Sequence, residues 1–251
     1  MVRTLSDGPV LALSMMLLKT VNSKGFAKKR IRDLFGLQNY LVAHAIFVAA
    51  TLRLRKQEGA VLRFIRALPA DATVLDIGLN VGTMALLFAW KAHRGRVIGF
   101  EPIPENYEAA LRLFRLLRIK NVTVHPFGLG ERDDDVLMVM PQDDDGVLLE
   151  GTSHVVDADR PAERGAVYTV ALRRLEDVAR DMRIDAIKID VEGHERFVLR
   201  GGYETIRRCR PIIYAELATE SNRKDCVEML EALGYRAESE PGNVNVLFFP
   251  S

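Results

Sequence analysis

The run Val74-Leu75-Asp76-Ile77-Gly78-Leu79-Asn80-Val81-Gly82 constrains this chain more than any other segment. An apolar strand passes directly into a glycine-bearing turn and then into a helical stretch at residues 83–93. Glycine at 78 and 82 allows backbone angles that other residues adopt only at a cost, and removes side chains that would intrude on a ligand. The free N–H groups of the following helix open at the same place, which suits a carboxylate. This is not the G-x-G-x-x-G spacing of dinucleotide sites, because Asn80 stands at the second glycine position, so a nicotinamide dehydrogenase is disfavoured. Asp76, before the first glycine, fits a cofactor carrying an ammonium or sulfonium better than one carrying a pyrophosphate, which a carboxylate repels.

Beyond Pro69, β-rich runs at 73–77, 96–100, 122–126, 186–190, 211–216 and 244–249 alternate with helical stretches at 83–93, 104–117, 172–182 and 223–233. That alternation is the signature of parallel strands joined by crossover helices. The expectation is an α/β fold with a Rossmann-like, doubly wound, mostly parallel seven-stranded sheet, helices on both faces, and an N-terminal helical extension. The extension is placed at 1–69 and the α/β domain at 70–251. A β insertion near 134–170 is expected, with extra strands at 136–140 and 167–170. Its acidic loop, Asp143-Asp144-Asp145-Gly146 followed by Gly151-Thr152-Ser153-His154, is expected to overhang the site.

Residues 9–22 and 26–68 read as helices, with Gly25, Gly36 and Gly59 marking breaks. Residues 1–68 hold twelve Lys and Arg against three Asp and Glu, whereas the remainder holds 23 against 31. The densest basic run, Lys28-Lys29-Arg30-Ile31-Arg32, reads first as a solvated helix face and second as a contact with an anionic membrane surface. No aromatic residues interleave it, so a nucleic-acid partner is not expected. The apolar stretch 9–18 is too short to span a bilayer and reads as a helix. Cys209 and Cys226 have neither disulfide-framework nor zinc spacing, which points to a reducing cytoplasm.

Two further segments carry chemistry. Val97-Ile98-Gly99-Phe100 ends in Glu101, nineteen residues after Gly82, where a carboxylate accepts ribose hydroxyls. The run Ile187-Lys188-Ile189-Asp190-Val191-Glu192-Gly193-His194-Glu195 is a strand ending in a cluster of ionisable groups, at the end where open α/β sheets bind ligands. His194 is the first candidate for a general base by its intrinsic pKa, with Asp190 and Glu192 beside it; a helix cap is the alternative role for His194. Asp190, Glu192 and Glu216 form a weak candidate set for Mg²⁺, and no metal ligand is assigned.

These segments together resemble the FkbM family of methyltransferases over roughly residues 72–249. The resemblance rests on Ile187 to Glu195, on Val198-Leu199-Arg200-Gly201-Gly202, and on Arg210-Pro211-Ile212-Ile213-Tyr214-Ala215-Glu216. Asp76, Gly78, Asn80 and Gly82 match the family's D-x-G-A-N-x-G, with Leu79 departing at the alanine, and Phe100-Glu101-Pro102 matches its F-E-P. Gly128-Leu129-Gly130-Glu131 stands where the family commonly has A-L-G-D on the adenine side.

The resemblance implies O-methylation dependent on S-adenosylmethionine, on a hydroxyl of a small molecule such as a sugar, glycan or polyketide. Asp76, Gly78, Asn80, Gly82, Glu101 and Gly128 would hold the cofactor, while Asp190, Glu192 and His194 would face the acceptor. The aromatic residues Phe35, Tyr40 and Phe47 are read as core. Two other readings stand beside this one: an inactive binding or scaffold protein on the same fold, and a peripheral membrane enzyme acting on a lipid-linked glycan. A homodimer is a further open reading of the N-terminal helices.

Overall fold

The computed structural model describes residues 36–54, 59–143, 149, 151–157 and 160–251. The expected helix at 9–22, the basic run 28–32, Phe35 and the Asp144-Asp145-Gly146 turn lie outside the described residues. Among the described residues two helices, α1 (Leu37–Leu54) and α2 (Ala60–Ala67), precede the first strand, with Gly36 and Gly59 at their starts.

The main sheet contains β1 (Thr73–Ile77), β2 (Arg96–Phe100), β3 (Val122–His125), β8 (Ala186–Ile189), β9 (Ile212–Glu216), β10 (Tyr235–Glu238) and β11 (Asn245–Pro250). Its order is β10-β11-β9-β8-β1-β2-β3. All neighbouring pairs from β9 to β3 are parallel, and β11 alone runs against its neighbours β9 and β10. This is the expected seven-stranded, mostly parallel sheet. The chain builds outward from β1 to β3 and then returns to place β8 on the other side of β1. The crevice between β1 and β8 is therefore the topological switch point where such sheets bind ligands.

Every residue of β1 and of β8 is buried, as a parallel strand covered on both faces requires. Alternate side chains feed two cores. Val74, Val97 and Ala186 face a layer built from α1, α2, α3 (Thr83–Lys91) and α4 (Pro104–Leu116). Leu75, Ile77, Ile187 and Ile189 face α5 (Leu175–Val178), α6 (Glu195–Gly201), α7 (Tyr203–Cys209) and α8 (Glu220–Ala232). Helices α1 and α2 pack into the first layer. Phe64 of α2, fully buried, packs with its ring centroid 5.5 Å from Phe88 and 5.6 Å from Tyr214. Tyr40 is likewise buried in this core. None of the described helices is long and apolar enough to cross a membrane.

A second sheet of order β4-β7-β5-β6 is formed by β4 (Gly128–Gly130), β5 (Asp134–Pro141), β6 (His154–Val155) and β7 (Gly165–Arg174). It buries Met138, Met140 and Val170 against Ile103, and Tyr168 Oη donates to Glu105 at the start of α4 (2.9 Å). Three differences from the sequence expectation lie near it or at the sheet edge. The helix expected at 172–182 shrinks to Leu175–Val178, because β7 continues to Arg174 in register with β5 and β4. Residues 128–130, not among the expected strands, are strand β4. Residues 235–238, not expected as a strand, form the edge strand β10 beyond Gly234.

If α2 is part of the domain core, Phe64→Ala lowers the unfolding free energy by about 3–5 kcal/mol in a denaturant titration. A loss below about 1 kcal/mol would place α2 outside the cooperative unit.

Candidate active site

The turn after β1 is shaped by close chain packing. Gly78 has φ +75, and a Cβ there would lie 1.8 Å from the backbone oxygen of Asp190. Gly82 has φ +84, and a Cβ there would lie 2.7 Å from Cζ of Phe114 on α4. The glycines were expected to make room for a ligand. Gly78 lines both cavities described below and also makes room for the chain at the end of β8, whereas Gly82 makes room for an aromatic ring of the core. Between them Asn80 also adopts a left-handed conformation (φ +53), which Asn tolerates better than most residues.

Beneath this turn lies a buried charge cluster. Asp76 and Lys188 are register partners on β1 and β8. The Lys188 ammonium lies 3.4 Å from Asp76 Oδ1 and 3.3 Å from Asp190 Oδ2, and donates to the Gly78 carbonyl at 2.7 Å. Burial pushes the Asp76 carboxyl above its ordinary range, with Lys188 opposing the shift. The two carboxylates hold Lys188 charged against its own desolvation. Asp76 is fully buried and lines neither of the two cavities described below. The direct cofactor contact expected of it is replaced by the Lys188 pair.

The first cavity lies over the carboxyl ends of β1, β2 and β8. It encloses about 650 Å³ including the solvent at its mouth. Glu101, only 5% exposed, is its anchor. Oε2 accepts the Asn80 N–H at 2.8 Å and Oε1 accepts the Ile103 N–H at 2.9 Å. The Asn106 side chain also hydrogen-bonds to this carboxylate, which leaves lone-pair capacity for a ligand hydroxyl. Burial pushes the carboxyl up to about 7, against the Ile103, Asn80 and Asn106 donors. Phe100, Leu129, Met138 and Leu172 supply apolar walls, and Gly128 passes so close to Leu172 that a Cβ would meet its Cδ2 at 2.7 Å. Ser153 Oγ and His194 Nδ1 are buried cavity-wall atoms with no hydrogen-bond partner among the described residues. Buried polar atoms are seldom left so, and an apolar slot with such atoms and a diol-accepting carboxylate fits a nucleoside.

The ionisable cluster after β8 is divided by its geometry. His194 is the N-cap residue of α6, with its ring 4.5 Å from that of Phe197. Burial lowers its pKa to about 4, so the imidazole is neutral at pH 7. Glu192 has φ +52, and burial together with Asp190 raises its carboxyl to about 7, with Arg160 opposing. Arg160 lies 3.9 Å from that carboxylate and also donates to the Glu192 carbonyl. Glu195 is committed to the turn itself: Oε1 accepts the N–H groups of Val191 (3.0 Å) and Gly193 (3.2 Å), and Oε2 accepts Asn222 Nδ2.

A second cavity, about 1020 Å³ with its mouth, opens between α1 and the β1 turn. It shares Gly78, Asn80, Gly151 and Asp190 with the first. Among the described residues Asp190 is thus the ionisable side chain on both cavities, whereas Glu192 and His194 line only the first and Gly82 neither. Tyr40, read from sequence as core alone, also lines the second cavity. No group of three His, Cys, Asp or Glu among the described residues could hold a metal ion, and Glu216 lines neither cavity. The Mg²⁺ set considered from sequence is therefore not supported. Sequence reasoning missed Lys188, Ser153, Arg160 and the structural role of Glu195.

The sequence pattern of the Methyltransferase FkbM domain matches residues 76–237. Methyltransferase 1 of Beauveria bassiana (strain ARSEF 2860) is 29% identical over 147 residues, covering 53% of this chain and 59% of that protein. The hexuronic acid methyltransferase AglP of Haloferax volcanii is 25% identical over 179 residues, covering 70% of this chain and 69% of its own. The crystal structure of methyltransferase FkbM from Methylobacillus flagellatus KT superposes with a TM-score of 0.56 at 15% identity, over 96% of this chain and 58% of that one. The chain thus spans less than two thirds of the fungal protein and of the crystallised one.

Two outcomes follow from this geometry. Lys188→Met leaves Asp76 buried without its cation and costs about 3–5 kcal/mol of stability, part of which the Asp76→Asn/Lys188→Met double variant restores; additive effects in that cycle would sink the pairing. The unfolded His194 takes up a proton near pH 6.5 and the folded one only near 4, so stability falls as pH falls through that window. Between pH 7 and pH 5 the wild type should lose on the order of 1–2 kcal/mol more than His194→Gln in urea titrations.

Proposed function

The chain belongs to the FkbM family of methyltransferases, and on that premise we propose that it methylates a hydroxyl oxygen of a small molecule, using S-adenosylmethionine. The observation that carries this reading is the meeting of the two cavities at Asp190, with a ribose-accepting Glu101 on one side only. Bound S-adenosylmethionine supplies an electrophilic methyl group on a sulfonium. Glu101 accepts the ribose hydroxyls, and Ser153 Oγ and His194 Nδ1 offer polar partners to the rest of the nucleoside. Asp190, Glu192 and Glu101 make the cavity wall acidic, which favours a cation.

On the other side of the junction, Asp190 takes the proton that the acceptor hydroxyl gives up as its oxygen is methylated. Lys188 orients that carboxylate from below at 3.3 Å. Holding the acceptor against the cofactor supplies much of the rate by proximity. His194, neutral and confined to the first cavity, acts on cofactor binding instead of as the base.

The first test is calorimetric titration with S-adenosylmethionine and its demethylated product. Saturable binding is expected, weakened by about tenfold or more in Glu101→Gln, since hydrogen bonds to a charged carboxylate are lost. Because the free Glu101 carboxyl titrates at about 7, the wild-type affinity rises with pH up to that value and levels above it, whereas Glu101→Gln shows no such slope. Asp190→Asn should slow radiolabelled methyl transfer to hydroxylated acceptors by about 100-fold or more with cofactor affinity nearly retained. Absence of binding to either cofactor form would overturn the proposal.

A further inference from the structure

We propose that the second cavity is the acceptor site and that its occupant is a hydroxylated molecule with an apolar body, an aromatic ring or an alkyl skeleton, rather than a free sugar or uronic acid. This rests on the reading of the first cavity as the cofactor's. Because the two spaces join at Gly78, Asn80, Gly151 and Asp190, a molecule in the second presents only its inner end to the reacting atoms.

The walls define the chemistry of the rest of that molecule. One wall is a stripe of α1: Tyr40, His44, Val48 and Leu52 follow one another at four-residue spacing, which puts them on one helix face. The facing wall, from the β1 turn and the start of α3, carries Leu79, Val81 and Met84. Sugar hydroxyls pressed against Val48, Leu52, Leu79, Val81 and Met84 would lose water and gain no partner, whereas a ring or alkyl chain gains from leaving water.

Charge points the same way. Among the described residues the cationic side chain lining this cavity is Lys188, which donates to the Gly78 carbonyl and is ion-paired with both Asp76 and Asp190. Its charge is thus already balanced by two carboxylates, and among the described residues no arginine lines the space. At the inner end Asp190 receives one hydroxyl, and the other polar groups on the lining are Tyr40, Asn80, Thr83 and the exposed His44.

The test uses the full chain saturated with S-adenosylhomocysteine, which fills the first cavity, and follows binding by calorimetry. The probes are 2-naphthol, 4-hydroxybiphenyl, methyl β-D-glucopyranoside and methyl β-D-glucuronoside. At least one phenol should bind saturably, and both sugars more weakly by about tenfold or more. Val48→Glu should weaken phenol binding by about tenfold or more while leaving S-adenosylhomocysteine affinity within about twofold. If that variant fails to fold, Val48→Phe, which fills the cavity with apolar bulk, should give the same loss.

Tighter binding of either sugar, no binding of either phenol, competition between phenol and S-adenosylhomocysteine, or indifference to the Val48 variants would each overturn the proposal. Failure of the cofactor reading is visible separately, as absence of S-adenosylhomocysteine binding. The phenol and sugar titrations of the protein alone, with the Val48 variants, then still decide the cavity's chemistry.

Discussion

The Lys188 ammonium holds the site together. It sits where β1 and β8 diverge, between the Asp76 and Asp190 carboxylates, and donates to the Gly78 carbonyl. From there a polar chain crosses the sheet. The turn that contains Gly78 presents the Asn80 N–H to Glu101, and Glu101 accepts the Ile103 N–H on its other oxygen. Three parallel strand ends and the start of α4 are thereby tied to one buried network. Such networks give a unique geometry only while each member is satisfied, and removal of one charge leaves its partner uncompensated.

The same cluster sets the electrostatic character of the site. Asp76, Glu101, Asp190 and Glu192 stand against Lys188 and Arg160, so the switch-point crevice has an excess of carboxylate. A pyrophosphate would meet repulsion there, and a sulfonium or ammonium would not. Burial keeps Glu101 and Glu192 close to neutral pH in their titration, which leaves both sensitive to what occupies the cavity. Glu195, in contrast, is spent on the backbone of its own turn.

Strands β1 and β2 were legible to the residue, because a fully buried parallel strand is a short apolar run bounded by glycine or proline. Glu101 was legible because its role depends on being at a strand end, which sequence locates. Lys188 was not. In Ile187-Lys188-Ile189-Asp190 it reads as the outward residue of an alternating strand, and its partner Asp76 is 112 positions away, brought beside it only by parallel register. The division between Asp190 on both cavities and His194 on one also escaped, because spacing along a turn does not say which side of a wall each side chain reaches. Residues 172–174 were misread as helix since the pairing that keeps them extended comes from β4 and β5, not from their own sequence.

The matched FkbM segment, residues 76–237, contains Glu101, Lys188, Asp190 and the whole first cavity. The α1 wall of the second cavity, Tyr40 to Leu52, lies before it. Under the proposed reading, the family module supplies the cofactor site and the proton-accepting carboxylate, while a helix outside the module determines what can be held against them. The two parts answer to different physical demands. Cofactor binding requires fixed polar geometry at strand ends, which a buried ion network provides. Acceptor choice requires only a complementary apolar surface, which changes with a few side chains on one helix face and leaves the network untouched. Family membership would then identify the chemistry without identifying the acceptor, and the place to read the acceptor is α1.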